Sequence, residues 1–457
     1  MSQELEPNGR FQEVAIVGGG ILGMTLAFRL QSQGVRVTLI EAAPVTGGLT
    51  QSQGLGGYTW DRFYHVILNS DQHLRGLLQD LGVSHLLQWK TTRTGFYSEG
   101  KFHSLSDAVD FLRFRPLSLS DKARLAATIL YASRITNWRR LEEVTVTDWL
   151  RRLSGERTFQ RIWLPLLKSK LGDNYRIASA AFIWAIIARM YAARRSGLKR
   201  EMFGYVEGGY HTILQVFRSR LDQLGVRTLC GRAVTGIQDR MNWVEVSLEG
   251  GATHNFDRVV LTVPCGQVVA LCPQLTAREQ DRLRSVVYQG IVCASLLLRK
   301  PLAGYYITNI TDTDVPLTGV IEMTALVDPA NFGGNSLVYL PRYLTQGDDV
   351  WQKSDPEILE IFIGALQRMY PSLARGDIVA SQVARVREML AVSTLHYTER
   401  SRPPLRTSLP NLYLVNSAQI ANGTLNVNET VALANASASE LKALLETGSS
   451  RSMANLA

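Results

Sequence analysis

Residues 13 to 48 narrow the folds open to this chain more than any other stretch. Glu13-Val-Ala-Ile-Val17 is a short apolar, β-branched run of the kind that forms a buried parallel strand. Gly18, Gly20 and Gly23 follow it at the G-x-G-x-x-G spacing, which turns a strand sharply into a helix. The first glycine allows the tight turn, and the second lets backbone N–H groups approach a pyrophosphate. The third lets the helix lie close to the strand, with its positive N-terminal end toward the phosphates. Ala27 continues the small-residue face, and a second apolar run, Val35 to Ile40, ends in Glu41. A carboxylate there is placed to grip a ribose diol and would repel a 2′-phosphate. A second glycine pair, Gly47-Gly48, closes the unit.

The chain has 457 residues, 46% of them hydrophobic, enough for two or three domains around a large core. Met1 to Gln12 is polar, with no apolar segment of a secretory signal, and the longest apolar run, Ile177 to Ala188, is too short to span a bilayer. The four cysteines form no C-x-x-C pair and suggest neither a zinc site nor a disulfide framework; with scattered histidines, no metal is expected. A reducing cytoplasm is the expected compartment. The net charge of +9 is uneven: residues 111 to 200 hold 19 Lys and Arg against 6 Asp and Glu, a local +13. Trp138, Trp149, Trp163 and Trp184 lie among these bases. The helices of 111–200 suit an anionic membrane surface or an anionic substrate, or they are a solvated face over core tryptophans. No nucleic-acid module accompanies the charge, so no nucleic-acid partner is expected.

Along the chain, the aromatics of Tyr58 to His65 suit a strand after the Gly56-Gly57 turn, and an amphipathic helix is expected over Gln72 to Leu81. Thr94–Tyr97 and Lys101–Leu105 flank a hairpin signal. From Leu105 to about Lys199 the periodicity is helical, with breaks at Pro116 and Pro165. Gly208-Gly209-Tyr210 then opens a helix, Thr212 to Leu224, and strands at 226–229 and 233–237. A hairpin-like pair is expected between Trp243–Ser247 and Arg258–Pro264. Residues 286 to 345 read mainly as strands, Ile358 to Met369 as a helix, Asn411 to Val415 as a strand, and Glu429 to Leu445 as a small-residue helix. The Ser-rich residues 447–457 read as a flexible tail.

With these residues in place, nearly the whole chain resembles the flavin amine oxidase, protoporphyrinogen oxidase and phytoene desaturase superfamily. The motif with Glu41, the Gly208-Gly209 helix with Val234, the strand ending Thr262-Val263-Pro264 and the C-terminal strand-loop-helix carry the resemblance. It implies an α/β fold: a Rossmann-like FAD-binding domain built from separated segments (1–70, 205–285 and 390–446). Against it lies a second, α+β substrate domain with a helical insertion (71–204) and a strand-rich part (286–389). The resemblance implies that Gly18, Gly20, Gly23 and Gly48 line the pyrophosphate, that Glu41 holds the ribose and that Val234 touches adenine. It implies that the helix after Val427 points its N-terminus at the flavin ring, where it would stabilise negative charge on reduced flavin. Ile21, Leu22, Gly47, Leu49, Thr50, His65, Pro264 and Asn416 complete the implied FAD contacts.

Three departures bear on the reaction. Asn416-Ser417 replaces the Gly-Asp of many members, and Cys293 falls where amine oxidases place a lysine beside the flavin. Asn426 stands where they place a cage aromatic. Amine oxidation is therefore disfavoured. The stretch Asp61 to His65 also resembles the histidine-bearing loop of UDP-galactopyranose mutases, which use reduced FAD without net oxidation.

Because flavin accepts the hydride, few acid–base residues are required. His65 and Glu322 are the catalytic candidates, Glu322 because an acid within an apolar strand is costly unless paired or used. Its bland alternatives are an edge position facing water or an arginine partner; for His65 the alternative is a packed, hydrogen-bonded histidine. Arg342-Tyr343, His396-Tyr397, Lys168 and Lys170 are further polar candidates. The expected function is an FAD-dependent oxidoreductase removing hydride from a bulky small molecule, isoprenoid or polycyclic, with oxygen, a quinone or another acceptor reoxidising the flavin. The alternatives are a non-redox mutase on a nucleotide sugar and a flavin-binding partner protein without turnover. Nothing in the sequence speaks to oligomeric state.

Overall fold

Glu13–Val17 is the central strand of a five-stranded parallel sheet, which runs Leu412–Leu414, Arg258–Leu261, Glu13–Val17, Arg36–Ile40, Arg227–Leu229. The computed structural model describes residues 13–195, 202–421 and 424–454. The expectations for Met1–Gln12, for the end of the helical stretch near Lys199 and for the last three tail residues lie outside the described residues. Alternation along the first strand buries both sheet faces. Val14 and Ile16 join a core under the helices Ile21–Gln31, Gly209–Gln223 and Val427–Ala454, while Ala15 and Val17 face a second core. That second core is roofed by a three-stranded antiparallel sheet, Val234–Asp239, Val244–Leu248 and Thr253–Phe256.

The expected pairing of Trp243–Ser247 with Arg258–Pro264 is corrected here. Gly250 and Gly251, with φ of +89° and +87°, turn the chain so that Thr253–Phe256 becomes the partner. Val259 to Leu261, apolar throughout, is instead buried in the parallel sheet beside Val14 to Val17.

The second sheet has seven strands in the order Ile378–Ala391, Tyr288–Leu298, Ser336–Leu344, Gly319–Glu322, Ile307–Ile310, Thr94–Ser98, Lys101–Ser104. The helix Asp355–Met369 packs on one face; the other meets the hairpin Ser52–Leu55/Tyr58–Asp61 and the loop after it. Residues 108–195 build a separate apolar core from helices that include Leu119–Ala132, Val146–Ser154, Leu164–Leu171 and Ala180–Arg195. The break expected at Pro165 is corrected: Glu156 to Leu171 stays helical throughout, and a wide π-type turn, Phe159–Trp163, accommodates the proline. At the C-terminus the backbone stays helical from Val427 to Ala454, past the helix end expected at Leu445 and into the stretch expected as a tail.

Candidate cofactor site and the face opposite it

Each predicted cofactor residue on the parallel sheet stands just beyond the C-terminal end of a strand. Gly18 follows Val17, Glu41 follows Ile40, Pro264 lies three residues past Leu261, and Asn416 two past Leu414. In open α/β sheets that edge is where ligands bind.

Its centre is made of backbone. Gly18 takes φ +110°, and a Cβ there would lie 2.3 Å from Thr262 Oγ1. A Cβ on Gly23 would lie 1.9 Å from the Gly18 carbonyl oxygen, so only glycine lets the helix approach the strand. The two glycine segments meet across the site: Gly47 N donates to Gly19 O at 2.8 Å, and a Cβ on Gly48 would lie 2.9 Å from Gly20 Cα. No side chain caps the helix at Gly20, so its leading N–H groups remain available to an anion. Glu41 Oε2 accepts from Gly19 N at 2.6 Å and Oε1 from Ala43 N at 2.8 Å, fixing the carboxylate beside the cradle with lone pairs to spare. A phosphate-bearing dinucleotide fits this arrangement of open amides, absent Cβ atoms and a held acid.

The other predicted contacts fall into two kinds. Ile21 and Leu22 bury their side chains in the core, which leaves their backbone for a ligand. Thr50 turns its hydroxyl to Gly47 O at 2.8 Å and stiffens the glycine loop, with half-buried Leu49 packed against the second sheet's core. Val234 opens its strand, half-buried. Asn416 is consumed by the fold: Nδ2 donates to Val263 O at 2.9 Å and Oδ1 accepts from Ala418 N at 3.1 Å. It ties two strand ends together where the family's Gly-Asp would stand. Asn426 accepts from Glu429 N at 3.0 Å, so this residue caps the long helix that Val427 begins.

Two predicted catalytic residues part company. His65 lies on the loop after the hairpin, its ring 4.8 Å from that of Tyr210, with Nδ1 3.9 Å from Asp61 Oδ2. Burial lowers its pKa to about 4, so at neutral pH the imidazole is uncharged. Glu322, by contrast, shares a pleat face with Val320, which belongs to the core under Asp355–Met369, while Ile321 points to the opposite face with Cys293 and Tyr343. Its carboxylate accepts from the backbone of Leu302 at 2.9 Å, Ala303 at 3.3 Å and Gly304 at 2.8 Å. The expectation that this buried acid works beside the cofactor is corrected: it fastens the turn at 302–304. It is buried rather than facing solvent, and among the described residues its partners are these backbone amides rather than an arginine.

Sequence reasoning passed over the most perturbed acid. Asp61 is buried, accepts from Tyr210 N at 2.8 Å, and is pushed up to about 8 by burial against the pull of that N–H. Its strand position before an aromatic loop was the available signal. Tyr64 and Tyr343 share a hydrogen bond at 3.0 Å, and Lys170 places its ammonium 3.7 Å over the Tyr343 ring. Cys293 is fully buried on the same face, its thiol pushed far up by burial. Arg342 is paired with Asp348, and Tyr397 OH donates to Ala418 O at 2.7 Å, so both are structural; Lys168 is exposed. Among the described residues, no group of three acids, cysteines or histidines is placed to hold a metal.

A backbone cradle of open amides with an acid at the second strand end is the arrangement of a nucleotide-cofactor enzyme. Residues 23–431 match the family profile described as flavin containing amine oxidoreductase, and the chain belongs to that family; its cofactor is FAD. It is 22% identical over 298 residues to coproporphyrinogen III oxidase of Bacillus subtilis, a match covering 58% of this chain and 63% of that protein. It is 23% identical to zeta-carotene desaturase of Synechocystis, covering 88% of this chain and 92% of the relative. Among solved structures, putrescine oxidase bound to putrescine shares the fold with a TM-score of 0.71 at 18% identity, covering 94% of this chain and 99% of that one. Reduced UDP-galactopyranose mutase does so with a TM-score of 0.72 at 14% identity, covering 95% and 96%. No helix among the described residues is long and apolar enough to cross a membrane.

Proposed function

We propose that this chain takes hydride from carbon on a bulky, largely apolar small molecule, isoprenoid or polycyclic, and that FAD is the acceptor. One observation carries this: the sheet face turned to the Asp61–His65 loop has no charged position along its second and third strands, Tyr288–Leu298 and Ser336–Leu344. Read along the pleat it presents Gln289, Ile291, Cys293, Ser295 and Leu297, beside Leu337, Tyr339, Pro341 and Tyr343. These two strands offer an amine substrate no carboxylate, and the acid of the facing loop, Asp61, is buried on the Tyr210 N–H with its pKa pushed up to about 8. Relatives named for a porphyrinogen and a carotene support the substrate class.

Bound flavin supplies the hydride acceptor. The chain's own residues then do three things: the glycine cradle and Glu41 hold the cofactor, the apolar face orients substrate and excludes water, and neutral His65 is free to take a proton. The test is anaerobic reduction of the purified holoprotein. Bleaching of the flavin bands by a porphyrinogen or a cis-carotene, but not by putrescine, is expected; bleaching by the amine alone would overturn the proposal. Fast recovery in air would identify oxygen as acceptor, slow recovery a quinone or another acceptor. A second and weaker reading, a non-redox mutase on a nucleotide sugar, is supported by the fold shared with the galactopyranose enzyme. Turnover that needs dithionite-reduced flavin and consumes no acceptor would favour it.

The substrate class also suits a cytoplasmic enzyme meeting a membrane surface. Val109, Leu112, Leu119, Leu130 and Tyr131 are exposed on two consecutive helices of the basic segment. Such a face inserts apolar side chains while its bases meet anionic lipid. Co-sedimentation with phosphatidylserine vesicles, lost in L112E/L119E, tests this; a protein that stays in the supernatant refutes it.

A further inference from the structure

The helix Gly209–Gln223 joins the cofactor cradle to the buried acid. Tyr210 N lies on Asp61 Oδ1, and Leu214 packs where a Cβ on Gly47 would lie, 2.7 Å from its Cδ1. At about 1.5 Å of rise per residue, those four residues set Asp61 roughly 6 Å along the helix from the cradle. Asp61 Oδ1 caps this helix, and its backbone oxygen accepts from Tyr339 OH at 2.5 Å. Oδ2 is left facing His65 Nδ1 at 3.9 Å, too long for a direct hydrogen bond.

His65 Nδ1 and two more polar atoms around this pair, Trp60 Nε1 and Tyr210 OH, are buried without a hydrogen-bond partner among the described residues. Trp60, Asp61, His65 and Tyr210 line one small cavity, closed by side chains that include Met323. The cavity has room for about one water, and several polar partners are what a buried water requires.

We infer that Asp61 and His65, bridged by one water in this cavity, form a proton store that takes up one proton from solvent when the flavin is reduced. The inference rests on the flavoenzyme assignment above. The two electrons stay on the cofactor; Asp61 already holds a proton, so the added one forms an N–H bond on His65 and offsets the negative charge that reduction brings. Because burial lifts Asp61 to about 8 and lowers His65 to about 4, between these values the pair holds a single proton and no net charge. A negative charge arriving nearby favours a second proton, on the imidazole. The surrounding groups do not compete: burial holds the Tyr210 and Tyr339 phenols well above their usual range and raises Tyr205, Tyr306 and Cys293. Of the charges acting on Tyr210, Asp71 and Arg189 pair with each other at 2.9 Å, while Glu207 and Asp328 act at the cavity wall on Tyr205.

The test is the midpoint potential of bound flavin between about pH 5 and 8, measured in the wild-type holoprotein, H65Q and D61N/H65Q. Asn at position 61 keeps an oxygen for the Tyr210 N–H, so the helix cap survives. Each proton taken up per two electrons steepens the fall of potential by about 30 mV per pH unit. The wild type is expected to be steeper than both variants by that amount. Equal slopes in wild type and variants overturn the proton store. Should the variants fail to fold, proton uptake by the wild type on reduction decides, followed with an indicator dye at a pH where the reduced flavin absorbs as the anion and itself takes up one proton; a total of one proton per two electrons overturns the inference, two support it. A wild-type protein that binds no flavin is a different result, and overturns the flavoenzyme assignment itself.

Discussion

Glu41→Ala separates what the carboxylate does for the fold from what it does for the cofactor. In the folded chain its oxygens accept from Gly19 N at 2.6 Å and Ala43 N at 2.8 Å. The Gly19 amide is buried, so losing its acceptor leaves an unsatisfied donor costing about 1–3 kcal/mol; half-buried Ala43 recovers a water and adds little. That loss appears in the apoprotein, as a lower thermal midpoint. The ribose contact is separate. A hydrogen bond to a charged group contributes about 1.5–3 kcal/mol, so FAD affinity should fall by roughly a further 10- to 150-fold. Both are measured on one preparation, by thermal unfolding of the apoprotein and by fluorescence titration with FAD. If stability falls as expected while the FAD dissociation constant stays within a factor of about three, the carboxylate does not hold the ribose.

Other changes probe neighbouring parts of the structure. Gly23→Ala puts a methyl 1.9 Å from the Gly18 carbonyl, backbone against backbone, so a loss of at least about 1–3 kcal/mol in urea unfolding is expected together with weakened FAD binding. Glu322→Gln points a donor at backbone N–H groups; it should cost about 1–3 kcal/mol yet leave flavin reduction by substrate intact, and lost turnover at unchanged stability would restore a catalytic role. The pH dependence of stability has opposite signs at the loop. Asp61, raised from 3.8 to about 8 on folding, binds its proton more tightly folded than unfolded, so its contribution is full below pH 3.8 and declines as pH rises toward 8. His65, lowered from 6.5 to about 4, contributes fully above pH 6.5 and loses that contribution as pH falls toward 4. Thermal midpoints of D61N should therefore gain on the wild type between about pH 5 and 8; a constant offset would refute the buried neutral acid.

The sequence shows most where a local rule leaves one solution. The glycine spacing, the closing acid and the apolar runs place Gly18 to Gly48 because each glycine answers to a contact made within the same short unit. Strand partners are less legible. Val244–Leu248 and Arg258–Leu261 are close in sequence and both apolar, but their partners are chosen by a glycine turn and by a strand near residue 14. The strand Ile378–Ala391 was not foreseen because it alternates half-buried and exposed residues, including two arginines and a glutamate, without a dense apolar run. Glu322 was rightly marked as costly in an apolar strand, yet one-letter spacing does not reveal that three backbone amides meet it. Asp61 escaped notice for the reverse reason: its burial comes from Tyr210 and Tyr339, more than a hundred residues away.

The central strand pairs on one side with Arg36–Ile40 and on the other with Arg258–Leu261, so Val14 meets a neighbour 244 residues later. A ribosome adding roughly 5–20 residues per second takes on the order of 10–50 seconds to make that neighbour. Throughout that time the first βαβ unit has an unsatisfied edge of Val-Ala-Ile-Val backbone exposed, the kind of surface that pairs with whatever strand arrives first. The last strand, Leu412–Leu414, arrives later still. With an edge left open for that long, the yield during synthesis is expected to depend more on the supply of factors that shield open strands than the stability of the finished fold would suggest.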